Sequence, residues 1–380
     1  MTCDVIVLGV GAMGSAACWR MARRGLNVLG IEQFEPGHDR GSSHGQTRII
    51  RKAYFEHPDY VPLVQRADAL WQELERDSAR RLLHRCGLVL CGRPEGVVMR
   101  GVERAAAAHG LALERLPADS LHERFRGLRC PPGQSLEALF ERDAGFLRVE
   151  ESVCAMAEQA RRGGATILTG RRVASWSATE RGVIVRVDGE TLSAATLVLA
   201  AGAWAARLLE PHGLPLSVRR KVQLWFRTTN PAHDLAHGAP VFAYDLPDGF
   251  FYGFPAIEPG RIKVALHTGG EPVANPDQLD RALHEGDAAP LRDFVAACLP
   301  GAGPAVEAHS ACMYTMTPDE HFVIGPLPDQ PRVLLAAGFS GHGFKFAPLV
   351  GEVLADLAAE GATAAPVGFM RPERWSAGLA

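Results

Sequence analysis

Apolar positions cluster first at Asp4-Val-Ile-Val-Leu8, a run that breaks on Gly9-Val-Gly11-Ala-Met-Gly14 and returns at Val28 to Ile31, ending on Glu32. Short unbroken apolar runs bounded by glycine read as buried strands, here with a helix between them. Leu63, Val64, Ala67, Leu70, Trp71 and Leu74 then recur at helical spacing, predicting an amphipathic helix over roughly 59–78. Residues 86–91 read as a short strand, and 101–135 as helices and proline-bounded loops, one helix opening near 118. A helix at about 150–162 leads into strand Ala165–Leu168. A hairpin follows with Val183–Val187 turning at Asp188-Gly189, then a buried-type strand Thr196–Ala200. Residues 216–317 are strand-rich, with one helical stretch near 276–298. The last unit is strand Val333–Ala337, a glycine loop over 338–343 and a helix from about 347 to 359.

The opening unit has the order a dinucleotide site requires. Gly9 permits the tight turn, Gly11 lets the backbone approach a pyrophosphate, and Gly14 lets the helix pack closely on the strand. The helix N-terminus offers free N–H groups to phosphates. Glu32 stands about 20 residues beyond the glycines, where a carboxylate accepts ribose hydroxyls and repels a 2′-phosphate. FAD and NAD both satisfy this much. The later pattern separates them, because nucleotide-fold elements return at 165–202 and again at 333–359, and such interleaving is typical of FAD folds. The predicted class is α/β (α+β overall): a Rossmann-like FAD-binding domain (1–85, 146–215 and 320–380) interleaved with a smaller antiparallel-sheet substrate domain (86–145 and 216–319).

Composition narrows the setting. The chain has 380 residues, 47% hydrophobic and 22% charged, which suits a soluble two-domain protein. A net charge of −3 gives no reason to expect nucleic acid as partner. The eight cysteines contain no CxxC pair, so neither a disulfide framework nor a metal site is expected, and a reduced cytoplasmic setting fits. The N-terminus leaves no room for a signal peptide, and no apolar run is long enough to span a bilayer.

At Gly41-Ser42-Ser43-His44-Gly-Gln-Thr47-Arg48-Ile-Ile-Arg51-Lys-Ala-Tyr54 the chain resembles the monomeric sarcosine oxidase family, which includes N-methyl-tryptophan oxidases and peroxisomal sarcosine/pipecolate oxidases, flavoenzymes of D-amino-acid-oxidase-like fold. The likeness returns at Tyr252-Gly-Phe-Pro, Cys312-Met-Tyr314-Thr-Met-Thr-Pro-Asp-Glu-His-Phe and Gly338-Phe-Ser-Gly341-His342-Gly343-Phe-Lys345-Phe, and so covers essentially the whole chain. The resemblance implies a monomeric FAD oxidase of N-methyl or cyclic secondary amino acids, with O₂ as electron acceptor and H₂O₂ as product. It implies that Cys312 carries the flavin through a thioether, which needs a thiolate exposed to the flavin and a positive neighbourhood. Arg51 and Lys345 would hold the substrate carboxylate. Lys263 would promote reaction with O₂, and His267, on the same strand face if Arg261 to Leu266 is a strand, would stand near the amine. Arg48 and His44 match positions beside the flavin ring, with Ser42, Ser43 and Thr47 adding hydrogen bonds. Gly341 and Gly343 belong to the loop meeting the flavin. Val173 matches the residue whose backbone holds the adenine. Tyr252, Tyr314 and His342 would wall the pocket, although ordinary core packing accounts equally for the tyrosines.

Two other readings share these features. One is a dehydrogenase of the same fold that feeds a quinone or carrier, and the other a non-catalytic flavoprotein subunit. The joint presence of Cys312, Lys263, Arg51 and Lys345 favours the oxidase.

Overall fold

Thr2–Leu8 is a strand, Ala12–Arg23 a helix and Val28–Ile31 a strand in the computed structural model, which describes residues 2–378. Thr2–Leu8 is flanked in parallel by Val28–Ile31 on one side and Glu190–Leu199 on the other. Thr166–Leu168 continues the parallel order beyond Val28–Ile31, and Gln330–Ala337 continues it beyond Glu190–Leu199. Parallel strands covered on both faces should be apolar throughout, and Val5, Ile6, Val7 and Leu197 to Leu199 are all buried. On one face helix Ala12–Arg23 is wedged between helices Val149–Arg162 and Ala347–Glu360. Gly351 allows the second contact, since a Cβ there would come within 2.5 Å of the Ala16 backbone.

The hairpin turns at Asp188-Gly189 as expected, with Val187 opposite Glu190. The strand expected over Thr196–Ala200 is instead one ten-residue strand, Glu190–Leu199. Its first half pairs antiparallel with Gly182–Val187, and its second half pairs parallel with Gln330–Ala337. Glu190 and Thr191 face solvent, and Ser193 and Thr196 are half-buried, so a search for unbroken apolar runs sees only the buried end. Val173–Thr179 escapes the same search as a largely exposed strand. The helix expected over 276–298 begins only at Glu285, where Asp287 and His284 form a reciprocal cap.

A second sheet of eight strands runs in the order Ala302–Met316, Ser217–Thr228, Arg261–Leu266, Gly249–Phe254, Val241–Leu246, Leu88–Gly92, Glu137–Glu141, Glu114–Pro117. All neighbours are antiparallel except Val241–Leu246 with Leu88–Gly92. Side chains alternate between its faces. One face, with Leu224, Phe226, Tyr244, Phe251 and Val264, packs on Phe294 and Val295 of helix Glu285–Cys298. The opposite face meets the loop that leads into strand Thr47–Ile50, for the Trp225 indole N–H donates to Gln46 Oε1 at 3.1 Å. On that face Lys221 stands opposite Cys312, Gln223 opposite Ser310, and Trp225 and Phe254 opposite Lys263. A three-stranded sheet of Thr47–Ile50, Gly145–Arg148 and Leu83–Arg85 bridges the two. All eight cysteines are free, although the sulfurs of Cys91 and Cys130 lie 3.2 Å apart. Among the described residues no helix is long and apolar enough to cross a membrane.

Candidate active site

A cavity of about 680 Å³ runs along the carboxyl ends of the parallel strands, within the ~300–1,000 Å³ usual for small-molecule and cofactor sites. Its first stretch is built by the opening glycines. Gly9 adopts φ +87°, and a Cβ there would strike the Ala200 carbonyl at 2.7 Å. A Cβ on Gly14 would lie 1.7 Å from the Gly9 carbonyl oxygen, so the helix rests directly on the turn. Gly11 is different: a Cβ there would meet only Ser43 Oγ, at 3.6 Å, and its bare backbone lines the cavity. Helix Ala12–Arg23 has no side-chain cap of its own and no acid in its first turn. Only Ala12 N–H is engaged, by Ser43 Oγ at 3.2 Å, which leaves donors and the positive dipole end for a phosphate.

Glu32 is buried and also lines the cavity. Its carboxylate accepts the Val10 N–H at 2.7 Å and the Phe34 N–H at 3.0 Å, so it braces the glycine turn at the cavity's edge. Val173 lines the far end with Arg171, Arg172 and Trp204. Trp204 was not anticipated from the sequence. Its indole N–H donates to Asp277, which also pairs with Arg172 across the rim.

The inner end meets the second sheet. Arg48 lines the cavity and donates to the carbonyls of Thr47 (2.8 Å) and Ser42 (2.9 Å), with Cys312 Sγ at 3.6 Å. Cys312 is fully buried, one layer behind a wall made by Arg48, Ser42, Met313 and Tyr314. The expected exposure of this thiol is therefore corrected: it has the positive neighbour, and Arg48 covers it. His44 is buried, accepts or donates at Nδ1 to Ser310 Oγ (3.1 Å), and leaves Nε2 without a partner; desolvation pushes its pKa down to about 3. Gln223 Oε1 on the same face is also unpartnered. Orphaned polar atoms, the Gly11 cradle and the open helix end together fit a dinucleotide whose ring system reaches this wall.

Lys263 lies apart from the main cavity. Its ammonium donates to the carbonyls of Gly45 and Thr47 and to Thr47 Oγ1, and stands 4.7 Å from the Phe254 ring centre. With Thr47, Trp225 and Phe254 it lines a separate pocket of about 30 Å³. Burial drives its pKa well below the usual lysine range. His267 follows the end of strand Arg261–Leu266, and its ring meets Tyr314 (5.4 Å between centres) and Tyr252 (6.4 Å), so it does not share Lys263's surroundings. Desolvation lowers its pKa to about 3.

Beyond Tyr314 and Gly341 the remaining candidates converge on Tyr54, a residue to which the sequence assigned no role. A Cβ on Gly341 would overlap the Tyr314 ring at 2.3 Å, so that glycine admits the tyrosine. Gly343 admits Phe339 in the same way. The Arg51 guanidinium lies 4.1 Å from the Tyr54 ring centre and the Lys345 ammonium 5.1 Å. Lys345 donates to Tyr54 Oη (3.0 Å) and the His342 carbonyl (2.7 Å). His342 Nε2 faces the Glu320 carbonyl at 3.0 Å and must donate to it, so Nδ1 accepts the Tyr54 hydroxyl proton at 2.9 Å. Desolvation and the Arg51 charge lower Lys345 to about 7, and desolvation takes His342 to about 4. Arg51 is not a free cation. Its guanidinium grips Glu56 at 2.6 and 2.9 Å and donates to the Ala53 carbonyl at 2.7 Å. Among the described residues no cluster of histidine, cysteine or carboxylate side chains suits a metal ion.

Two further residues escaped the sequence reading. Glu56 lay just past the quoted motif, and Lys221 sits in a strand whose face could not be assigned without the register of its neighbours.

The model of the family described as FAD dependent oxidoreductase matches residues 4–357. The monomeric sarcosine oxidase of Streptomyces avermitilis is 40% identical, over 99% of this chain and 98% of its own length. The N-methyl-L-tryptophan oxidase of Yersinia pestis is 37% identical over 93% and 94%. Among solved structures, NikD, an unusual amino acid oxidase essential for nikkomycin biosynthesis, superposes with a TM-score of 0.86 at 27% identity, covering 98% of this chain and 97% of that one. The glycine oxidase of Geobacillus kaustophilus shares the fold, with a TM-score of 0.81 at 22% identity over 98% and 99%.

Proposed function

Because the chain belongs to the FAD-dependent oxidoreductase family, we propose that it oxidises N-methyl or cyclic secondary amino acids, in the manner implied by the names of its sarcosine and N-methyl-tryptophan oxidase relatives. The observation that carries this reading is the pair of buried cations gathered on the Tyr54 ring just beyond the cofactor cavity. Arginine offers a planar fork and lysine a point charge, which together suit a carboxylate. FAD, when bound, supplies the hydride acceptor and passes the electrons on to O₂, giving H₂O₂.

The chain's own residues supply orientation and charge. Arg51 and Lys345 fix the carboxylate, with Glu56 yielding its place on the guanidinium. Tyr252 and Tyr314, whose hydroxyls lie 3.4 Å apart, wall the pocket with His267. Its imidazole, kept neutral by burial, accepts a hydrogen bond from the substrate amine. The imine product hydrolyses, releasing formaldehyde from an N-methyl substrate. Arg48 stands beside Cys312, its guanidinium 3.6 Å from the sulfur, and a small shift of that guanidinium would open the sulfur to the flavin for a thioether link. Lys263 places a cation beside a pocket of about 30 Å³, larger than the ~10–15 Å³ a water needs, and so suited to a small diatomic molecule. We assign the two large sheets to an interleaved FAD domain and a substrate domain. We assign the working form as a cytoplasmic monomer.

The test is peroxide release across sarcosine, larger N-methyl amino acids, pipecolate and proline, with carboxylate-free amines as controls. Oxidation confined to the carboxylates supports the reading. Equal turnover of carboxylate-free amines, or reduction of a quinone without O₂ consumption, refutes it.

A further inference from the structure

Lys221 lies at the middle of strand Ser217–Thr228 and is 5% exposed. Its ammonium donates to three consecutive carbonyls, those of His267 (2.6 Å), Thr268 (2.8 Å) and Gly269 (3.0 Å). An ammonium has three donors, so this set saturates it. The titratable groups beside it are the Cys312 thiol and the Arg219 guanidinium; no carboxylate stands among them. A buried cation balanced only by carbonyl dipoles is costly unless its geometry is specified.

The surrounding backbone is shaped to this amine. Gly269 and Gly270 both take positive φ, +67° and +106°. A Cβ on Gly270 would stand 2.6 Å from the Arg220 carbonyl and 3.0 Å from Lys221 Cδ. Glycine is needed for the turn to cross directly over the lysine stem. The turn begins at His267, whose own N–H is held by the Phe250 carbonyl at 2.7 Å. The ammonium also lies 5.2 Å from the Tyr314 ring centre, and Tyr314 packs on the His267 ring.

We propose that Lys221 is a positioning residue for the substrate's amine end: by gathering the 267–269 carbonyls it fixes the His267 imidazole against Tyr314. This rests on the amino acid oxidase reading for its consequence, though not for its geometry. With the ammonium removed, the 267–269 carbonyls lose their shared donor and the turn is held by the His267 N–H bond, a longer Phe250 N–H bond to Thr268 Oγ1 (3.3 Å) and the Arg220 N–H bond to the Glu271 carbonyl, so the imidazole gains freedom while the cofactor cavity, which neither residue lines, keeps its wall.

The test compares holoenzyme carrying Lys221→Met, Lys221→Arg or Gly270→Ala with the unaltered protein. The first readout is the rate at which diethyl pyrocarbonate modifies His267, mapped by peptide mass spectrometry, and it needs no substrate. Lys221→Met and Gly270→Ala should both speed it several-fold, and Lys221→Arg should restore it. In turnover, loss of one charge-assisted contact set should raise KM by roughly tenfold with kcat changed far less. Unchanged His267 reactivity and KM in both disruptive variants would overturn the proposal. Gly270→Ala disturbs the turn with the charge intact, so the question stays open to test should Lys221→Met not fold. If no secondary amino acid is oxidised by the unaltered protein, the oxidase reading falls, while the modification rates still decide the role of Lys221.

Discussion

Glu56→Gln separates two effects that usually move together. Arg51 and Glu56 are a buried pair, their side chains 13% and 14% exposed, joined by two short bonds. The guanidinium holds the Glu56 carboxyl below the usual carboxylate range against the opposing effect of burial. Removing one partner of a buried pair costs about 3–5 kcal/mol. The low end applies here, because the Ala53 carbonyl and the rings of Tyr54 and Phe55 still face the guanidinium. The ligand-free variant should therefore melt a few degrees lower. Yet, in the proposed function, Glu56 holds the place on Arg51 that a substrate carboxylate would take. A hydrogen bond between charged partners contributes about 1.5–3 kcal/mol, so removing the internal competitor should tighten a carboxylate inhibitor by roughly ten- to a hundredfold. The assay titrates an acetate bearing a small thioether and follows the flavin spectrum, with melting curves in its presence and absence. Lower intrinsic stability together with tighter binding is the expected signature. Weaker or unchanged binding in Glu56→Gln would refute the view that Glu56 stands in for the substrate.

Cys312→Ser should release flavin into the supernatant on acid precipitation, whereas the unaltered pellet stays yellow; a white unaltered pellet rejects the thioether. Lys263→Met should slow reoxidation by O₂ about 100-fold, the cost of losing one preorganised electrostatic partner, and leave anaerobic reduction nearly intact in stopped flow. Equal losses in both half-reactions would remove Lys263 from that role. Gly11→Ala should fold but incorporate little flavin, because its Cβ projects into open cavity, while Gly14→Ala should fail to accumulate as folded protein, its Cβ being driven into the Gly9 carbonyl; soluble yield and flavin content distinguish them. Carboxylate inhibitors should bind progressively more weakly as pH rises above about 7, approaching tenfold per unit, because Lys345 titrates there in the free protein and must regain its proton to meet the anion. A flat affinity from pH 6 to 9 contradicts this.

The parallel core was legible because its strands are buried on both faces and read as unbroken apolar runs between glycines. Glu190–Thr191 and Val173–Thr179 were hidden for the opposite reason: partly exposed strands carry polar residues that imitate loops. The site was legible where a motif concentrated it, at 41–54, 312–314 and 338–345. What the sequence withheld is pairing. Arg51 was visible and its union with Glu56 was not. Lys263 and His267, four apart, looked like partners, but the strand ends at Leu266 and the two rest against different neighbours. Lys221 depends wholly on register, since only its place opposite Cys312 puts it on the inner face.

The interior charge explains why so many basic groups lie in one place within a chain whose net charge is −3. Arg48, Lys221 and Lys263 are balanced chiefly by backbone carbonyls, and only Arg51 grips a carboxylate directly. Burial accordingly pushes every nearby amine and imidazole toward its neutral form, Lys221 to about 8, Lys345 to about 7 and His267 to about 3. Such a site is under-neutralised until an anion arrives, so anion binding both draws in and is strengthened by protons. The cations are spaced rather than pooled: Arg51 and Lys345 at Tyr54, Arg48 at Cys312, Lys263 behind Gly45 and Thr47. In the proposed function this spacing would let Arg51 and Lys345 serve the substrate carboxylate and Lys263 the oxygen being reduced, while Arg48 stays beside Cys312. Pooling them would raise their mutual repulsion and push the lysines further toward the neutral form, while the arginines would stay charged and repel one another.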